Sequence, residues 1–417
     1  MRSVQRKTLK TCAIYRALKA HANGRHISFH TPGHKRGKWD ITELSYSDNL
    51  SCPRGCIRAA ERDIARVLGA CASFILTDGS TCGVLSMLHA AKRLGVKTVA
   101  VKRDTHKSFW NGCALLGLTP LVYVDGDLEN AIKTADAVFL TSPNYYGAVA
   151  PLQAIRKLCD EYGKLLLIDG AHGGHLHFDK ALYAGAYADM WVDGVHKSLP
   201  ALTQGALVSA RTETFANALR ESVATFRTTS PSYPIMLSVE YAVKYPENEV
   251  LPVWVRDLAN SYPQRVQIKD DWTKVCVRVG EHAFAAQTAL EKRGVYPEFC
   301  DGEYICFYLS PAVNKRAFRV LKRSIAWLCK SFSPDEKRVQ SIHTPLASVE
   351  NTDTDWVDLE KAVGRICAVD CGLFPPCTPL VGKGERVSEE KVRLLKAAPN
   401  VYGLVDGKIC VYEIFNG

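Results

Sequence analysis

Leu165-Leu166-Leu167-Ile168-Asp169-Gly170-Ala171-His172-Gly173-Gly174 is the stretch whose reading decides the fold. Four aliphatic residues in a row, stopped by an aspartate and a glycine-rich turn, read as a short strand buried on both faces. A second such unit follows at Asp189-Met190-Trp191-Val192-Asp193-Gly194-Val195-His196-Lys197-Ser198-Leu199-Pro200. Working outward, apolar runs recur at 73–77, 98–101, 121–124, 137–140 and 206–208. Helical periodicity separates several of them, at Ile57–Leu68 and Val84–Leu94. Seven strands alternating with helices predict an α/β domain built on a mainly parallel sheet covered on both faces. Ligands of such sheets bind beyond the carboxyl ends of the strands, which is where the polar residues of this chain lie.

Asp169 and Lys197 sit at two of those ends. A carboxylate that holds a pyridine nitrogen protonated, with a lysine amine that condenses with an aldehyde, is the pair that pyridoxal phosphate chemistry requires. Other strand ends carry matching groups. Asp78-Gly79-Ser80-Thr81 offers backbone N–H groups and two hydroxyls to a phosphate, and reads equally as a helix N-cap. His106 follows the strand at 98–101, where its flat ring suits stacking on an aromatic cofactor. Thr141-Ser142-Pro143-Asn144-Tyr145-Tyr146-Gly147 is a polar turn after another strand. His172, His175 and His177 raise a metal site as a rival, but their spacing fits no standard zinc pattern, so no metal is expected.

The bulk properties set limits. At 417 residues the chain accommodates two domains, and its 47% hydrophobic and 23% charged composition is that of an ordinary globular protein. No apolar stretch approaches the roughly 20 residues of a membrane span. The basic Met1–Lys10 segment lacks the apolar core of a signal peptide, which points to the cytoplasm. The 15 cysteines are scattered without a Cys-x-x-Cys pair and read as reduced thiols. The net charge of +10 is spread along the chain rather than gathered in a patch, so nucleic acid is not an expected partner. The predicted organisation is a helix (Leu9–Ala20) and arm over 1–45, a large domain over 46–245 and a smaller α+β domain over 246–417. In the last, acidic Glu350–Glu360 reads as a helix start and Leu404–Phe415 as a strand.

These strings closely resemble the Orn/Lys/Arg decarboxylase family of pyridoxal phosphate enzymes, whose fold is aspartate-aminotransferase-like (fold type I). The matching text includes His30-Thr31-Pro32-Gly33-His34, Asp78-Gly79-Ser80-Thr81, Thr105-His106-Lys107-Ser108, Asp169-Gly170-Ala171-His172-Gly173, His196-Lys197-Ser198-Leu199-Pro200-Ala201-Leu202-Thr203-Gln204 and Thr229-Ser230-Pro231-Ser232-Tyr233. Weaker echoes follow at Gly294–Glu298 and Pro375–Leu380. The chain resembles the short, wingless form of the family.

The resemblance implies that Lys197 is the Schiff-base lysine and that Asp169 pairs with the pyridine nitrogen. Ala171 would lie under the ring and His106 above it. The Gly79 amide, Ser80 and Thr81, helped by His196, would hold the phosphate. Thr229-Ser230 would reach a cofactor across a subunit interface, so a homodimer or higher homo-oligomer with shared active sites is implied. The implied reaction is α-decarboxylation of arginine, lysine or ornithine to a polyamine or its precursor, with His106, His172 or Lys197 returning a proton to Cα. Glu298, Asp301 and Glu43 are candidates for the distal cation of the substrate.

Two positions depart from the family pattern. Gly194 stands where a serine is usual, removing one phosphate hydroxyl, and Gly170 where an acidic residue is common. An aminotransferase or a carbon–sulfur lyase on the same fold would instead need an arginine on the α-carboxylate, for which Arg278 and Arg293 are candidates. A silent regulatory paralogue would fail to bind the cofactor.

Overall fold

The computed structural model describes residues 2–35, 37–124, 126–334, 353–374 and 377–413. Seven strands form one sheet: β1 (Ala72–Leu76), β2 (Thr98–Val101), β3 (Thr119–Val122), β4 (Ala137–Thr141), β5 (Leu165–Asp169), β6 (Met190–Asp193) and β7 (Ala206–Ala210), in the order β1-β7-β6-β5-β4-β2-β3. Strands β3, β2, β4, β5 and β6 run parallel to one another. Only β7 is antiparallel, to β6 on one side and β1 on the other. The α/β fold with its mainly parallel seven-stranded sheet is therefore as expected.

Alternation along each strand sends side chains into two cores. Ile75, Val138, Ile168, Trp191 and Leu207 face one cluster with residues of α3 (Cys56–Leu68) and α10 (Tyr233–Val243). On β6 the intervening Val192 meets α4 (Gly79–Arg93), where a Cβ on Gly83 would stand 2.5 Å from Val192 Cγ2. Burial on both faces explains why β5 reads as a continuous aliphatic run.

Two compact units make up the chain. The first comprises residues 1–101, 111–252 and 309–313 and holds the seven-stranded sheet. The second comprises residues 102–110, 253–308 and 314–417, with a four-stranded antiparallel sheet built on Lys274–Arg278 and Tyr304–Tyr308.

Three sequence expectations are corrected. The single helix over Leu9–Ala20 is two helices, α1 (Arg2–Thr11) and α2 (Ala13–Asn23), broken at Cys12. The cause is distant in sequence: buried Glu240 accepts the Ala13 amide at 2.6 Å and the Ile14 amide at 3.0 Å, and pairs with Lys244 at 2.9 Å. Its carboxylate satisfies donors that a helix start leaves open.

The acidic stretch is no helix start. Thr354–Asp358 is a strand paired antiparallel with Lys408–Tyr412, and only a 3-10 turn, Leu359–Ala362, follows; residues 350–352 lie outside the described residues. The predicted final strand is a hairpin, Leu404–Val405 and Lys408–Tyr412, folded at Asp406-Gly407. Both turn residues have positive φ (49° and 74°), the conformation an Asp-Gly pair adopts in a two-residue hairpin loop. Residues 414 and 415 lie outside the described residues, as do Pro375 and Pro376 of the weaker sequence echo.

Candidate active site

The carboxyl ends of β1, β5 and β6 carry the groups read from the sequence. Asp169 is the last residue of β5 and only 5% exposed. Its Oδ1 accepts the Ala171 amide at 3.0 Å. Burial pushes its carboxyl above the usual carboxylate range, while the Lys197 charge and the Ala171 hydrogen bond pull it back.

β6 delivers Lys197 by a tight route. After Asp193 the chain turns through Gly194 into a one-turn helix, Val195–Ser198. There the half-buried Lys197 Nζ lies 3.1 Å from Nε2 of buried His172. Tyr145, from the turn after β4, packs against His172 with ring centroids 4.6 Å apart. His196 Nδ1 meets the Gly205 carbonyl at 3.0 Å, and burial lowers the ring's pKa below the ordinary value, so it is held neutral near pH 7.

Helix α4 begins beside these groups. Gly79 has φ +75°, a left-handed conformation that lets the chain turn sharply from β1 into the helix. Its amide donates to the Gln204 carbonyl at 2.9 Å, so the donors at this helix end are the amides after it. Ser80 is buried and Thr81 exposed. Gly194 approaches this corner so closely that a Cβ there would stand 2.5 Å from the Ala171 carbonyl oxygen and 3.0 Å from Ser80 Oγ. The residue usual at this position in the family would not fit the present backbone.

His106 belongs to segment 102–110 of the second unit, where Nδ1 lies 2.9 Å from Ser108 Oγ and accepts the Ser108 amide at 3.2 Å. Thr229 and Ser230 are exposed between the helix Glu213–Phe226 and α10. His177 Nδ1 meets the Gly174 carbonyl at 2.7 Å. In the second unit Asp301 Oδ1 accepts the amides of Glu303 and Tyr304 (2.9 and 2.7 Å), Arg278 pairs with Glu303 at 2.7 Å, and Arg293 stacks 3.7 Å over Trp327. Glu43, in the first unit, is exposed.

Sequence reasoning missed Tyr145 as a partner of His172, and Asp193 altogether. Tyr145 lay in a turn already noted; Asp193 carried a signal too, since it ends a strand next to β5.

The donor set fits pyridoxal phosphate. Asp169 matches a ring N–H, Lys197 matches an aldehyde, and the start of α4 with Ser80 matches a phosphate. Comparison with known proteins agrees. The Orn/Lys/Arg decarboxylase major domain matches residues 37–139 and 127–279, more than half of the chain. An uncharacterized protein of Bacillus subtilis (strain 168), YaaO, is 28% identical, over 96% of this chain and 97% of its own. An arginine decarboxylase of the same organism is 24% identical, over 91% and 92%. The constitutive lysine decarboxylase of Escherichia coli superposes with a TM-score of 0.73 at 17% identity, over 97% of this chain and 82% of that one, which shows the common fold. The chain thus belongs to the Orn/Lys/Arg decarboxylase family and is a pyridoxal phosphate-dependent decarboxylase.

Proposed function

We propose that this protein removes the α-carboxylate of arginine, lysine or ornithine, yielding a polyamine or its precursor, and that Lys197 and Asp169 carry the reaction. The observation behind the reading is their joint setting: a buried aspartate at the end of β5, under the influence of a lysine that ends the β6 turn and touches His172. Bound there, pyridoxal phosphate supplies an aldehyde for the substrate amine and a ring that accepts the electron pair left when carbon dioxide departs.

The chain's own residues do the rest. Asp169 keeps the ring nitrogen protonated, which its burial strengthens because little water competes for the carboxylate. Lys197 holds the cofactor between turnovers. His172, in contact with Lys197 Nζ, serves the proton return to Cα together with that amine. Ser80, Thr81 and the amides after Gly79 hold the phosphate with His196, and Ala171 supports the ring. Thr229-Ser230 serves the site of a second subunit in a homodimer or larger homo-oligomer. Arginine decarboxylases among the relatives support a basic amino acid as substrate.

Amine and carbon dioxide release by the cofactor-loaded protein, from arginine, lysine and ornithine separately, tests this. Agmatine, cadaverine or putrescine identifies the substrate. Lys197→Ala is expected to abolish both turnover and the visible absorbance of lysine-bound cofactor; turnover retained in that variant refutes the assignment.

A further inference from the structure

β6 ends on a second carboxyl group to which the reaction above gives no role. Asp193 is 2% exposed. Its Oδ2 accepts the Tyr183 hydroxyl at 2.8 Å and the Trp191 indole N–H at 3.1 Å. The two donor rings meet edge to face, 6.2 Å apart, and are themselves buried. Oδ1 is buried with no hydrogen-bond partner among the described residues. Gly170 lies beside it: a Cβ on Gly170 would stand 3.5 Å from Oδ1, an ordinary contact, and 3.0 Å from the Val192 carbonyl oxygen. Gly170 is bonded to Asp169, and Asp169 pairs with Val192 across the two strands. The two carboxyl groups therefore end adjacent strands, one residue out of register.

A buried carboxylate that feels a neighbouring negative charge, as Asp193 feels Asp169, is costly to ionise, since it loses hydration and is repelled. Asp169 has the cation Lys197 to offset its charge, whereas the contacts of Asp193 are a phenol and an indole. An ionised Asp193 would leave charge on an oxygen that no donor among the described residues meets. Burial, aided by the Asp169 charge and opposed by the two hydrogen bonds, pushes its carboxyl up to about 7. Titratable groups nearby include Tyr183 itself, raised far above its ordinary range, His177, whose ring lies 6.4 Å from the Tyr183 ring, and buried His175, next to Gly174, whose added Cβ would stand 3.7 Å from Asp193 Cβ.

We infer that Asp193 is a positioning residue for Asp169: a neutral carboxylic acid that fills the end of β6 and leaves the negative charge of this corner on Asp169 alone. The inference rests on Asp169 serving the cofactor nitrogen. Its catalytic consequence is that ionisation of Asp193 adds a second negative charge behind Asp169 and alters how the ring proton is held.

The cofactor-free protein provides a test independent of turnover. A carboxyl group whose folded pKa is raised contributes stability at low pH that is lost as pH rises toward the folded value. Denaturation midpoints of wild type and Asp193→Asn are measured from about pH 4 to about pH 9. The expected advantage of the variant over wild type grows up to about pH 7 and is level above; a pH-independent difference overturns the inference.

If Asp193→Asn does not fold, difference infrared spectroscopy of the wild type reads the same proton. A protonated-carboxyl band that disappears near neutrality and shifts in Tyr183→Phe supports the inference; the lack of such a band refutes it. In the cofactor-loaded enzyme, Asp193→Asn is expected to keep the visible absorbance and lose the alkaline change in kcat, and an unchanged pH profile refutes the positioning role. Lack of that absorbance in the wild type would instead strike the reading of Lys197 and Asp169, and the stability titration distinguishes the two failures.

Discussion

The amine of Lys197 and the imidazole of His172 are in contact, with Nζ 3.1 Å from Nε2, although 25 residues separate them in sequence. Two neighbouring strands create the meeting: His172 lies three residues past the end of β5 and Lys197 four past the end of β6. The contact gives the lysine a proton partner inside the site, and it sets the first expectation. His172→Gln keeps the visible absorbance of bound cofactor but lowers kcat by about 100-fold or more, as loss of a proton-transfer group does. Absorbance and steady-state rates on one preparation check it; an unaltered kcat removes His172 from the proton path.

Asp169→Asn separates activity from stability. Turnover is expected to fall by about three orders of magnitude or more, because a neutral amide does not stabilise a protonated ring nitrogen. Yet the cofactor-free variant is expected to be at least as stable as wild type at neutral pH. The Asp169 carboxyl is raised by burial, so its ionisation weakens the fold as pH rises from about 4, and asparagine removes that dependence. Urea midpoints at several pH values report it.

Gly194→Ser tests whether the missing hydroxyl is a defect. The added Cβ would stand 2.5 Å from the Ala171 carbonyl, which is backbone and yields little. The variant is expected to lose about 1–3 kcal/mol of stability and to bind the cofactor more weakly, the cost usual for overpacking. Tighter cofactor binding, measured by fluorescence titration, would show that the corner relaxes.

Glu240→Leu addresses the N-terminal helices. It removes the carboxylate that accepts two α2 amides and leaves Lys244 with Asp63 and the Thr11 carbonyl. The expected loss is about 3 kcal/mol, the scale for breaking a buried, hydrogen-bonded charge pair. Denaturant unfolding measures it, and a loss below about 1 kcal/mol would deny the cap its importance.

Much of the large domain was legible because its signals are local. A strand buried on both faces must be apolar throughout, so β2, β4, β5 and β6 announce themselves within four or five residues. The polar residue that stops such a run must stand at a strand end, and a parallel sheet brings these ends to one edge; hence Asp169 and Lys197 could be paired on paper. Weaker local signals misled. The acidic residues of Glu350–Glu360 suggest a helix start, but pairing with Lys408–Tyr412 makes Thr354–Asp358 a strand. Asp406-Gly407 was a hairpin signal that went unread.

Residue order therefore specified the alternating pattern through periodicity, and it suggested the cofactor and the lysine–aspartate pair through residue type at strand ends read together with a family resemblance. Tertiary structure decided what depends on neighbours far along the chain. It broke the first helix with Glu240, grouped the His106 segment with the second unit, and closed the space at Gly194 that a serine would need. It also made Asp193 a buried acid rather than a solvated one. The physical reason is common to all four. Burial, room for a Cβ and the charge of a neighbour are properties of a place in space, and the place exists only once distant segments have packed around it.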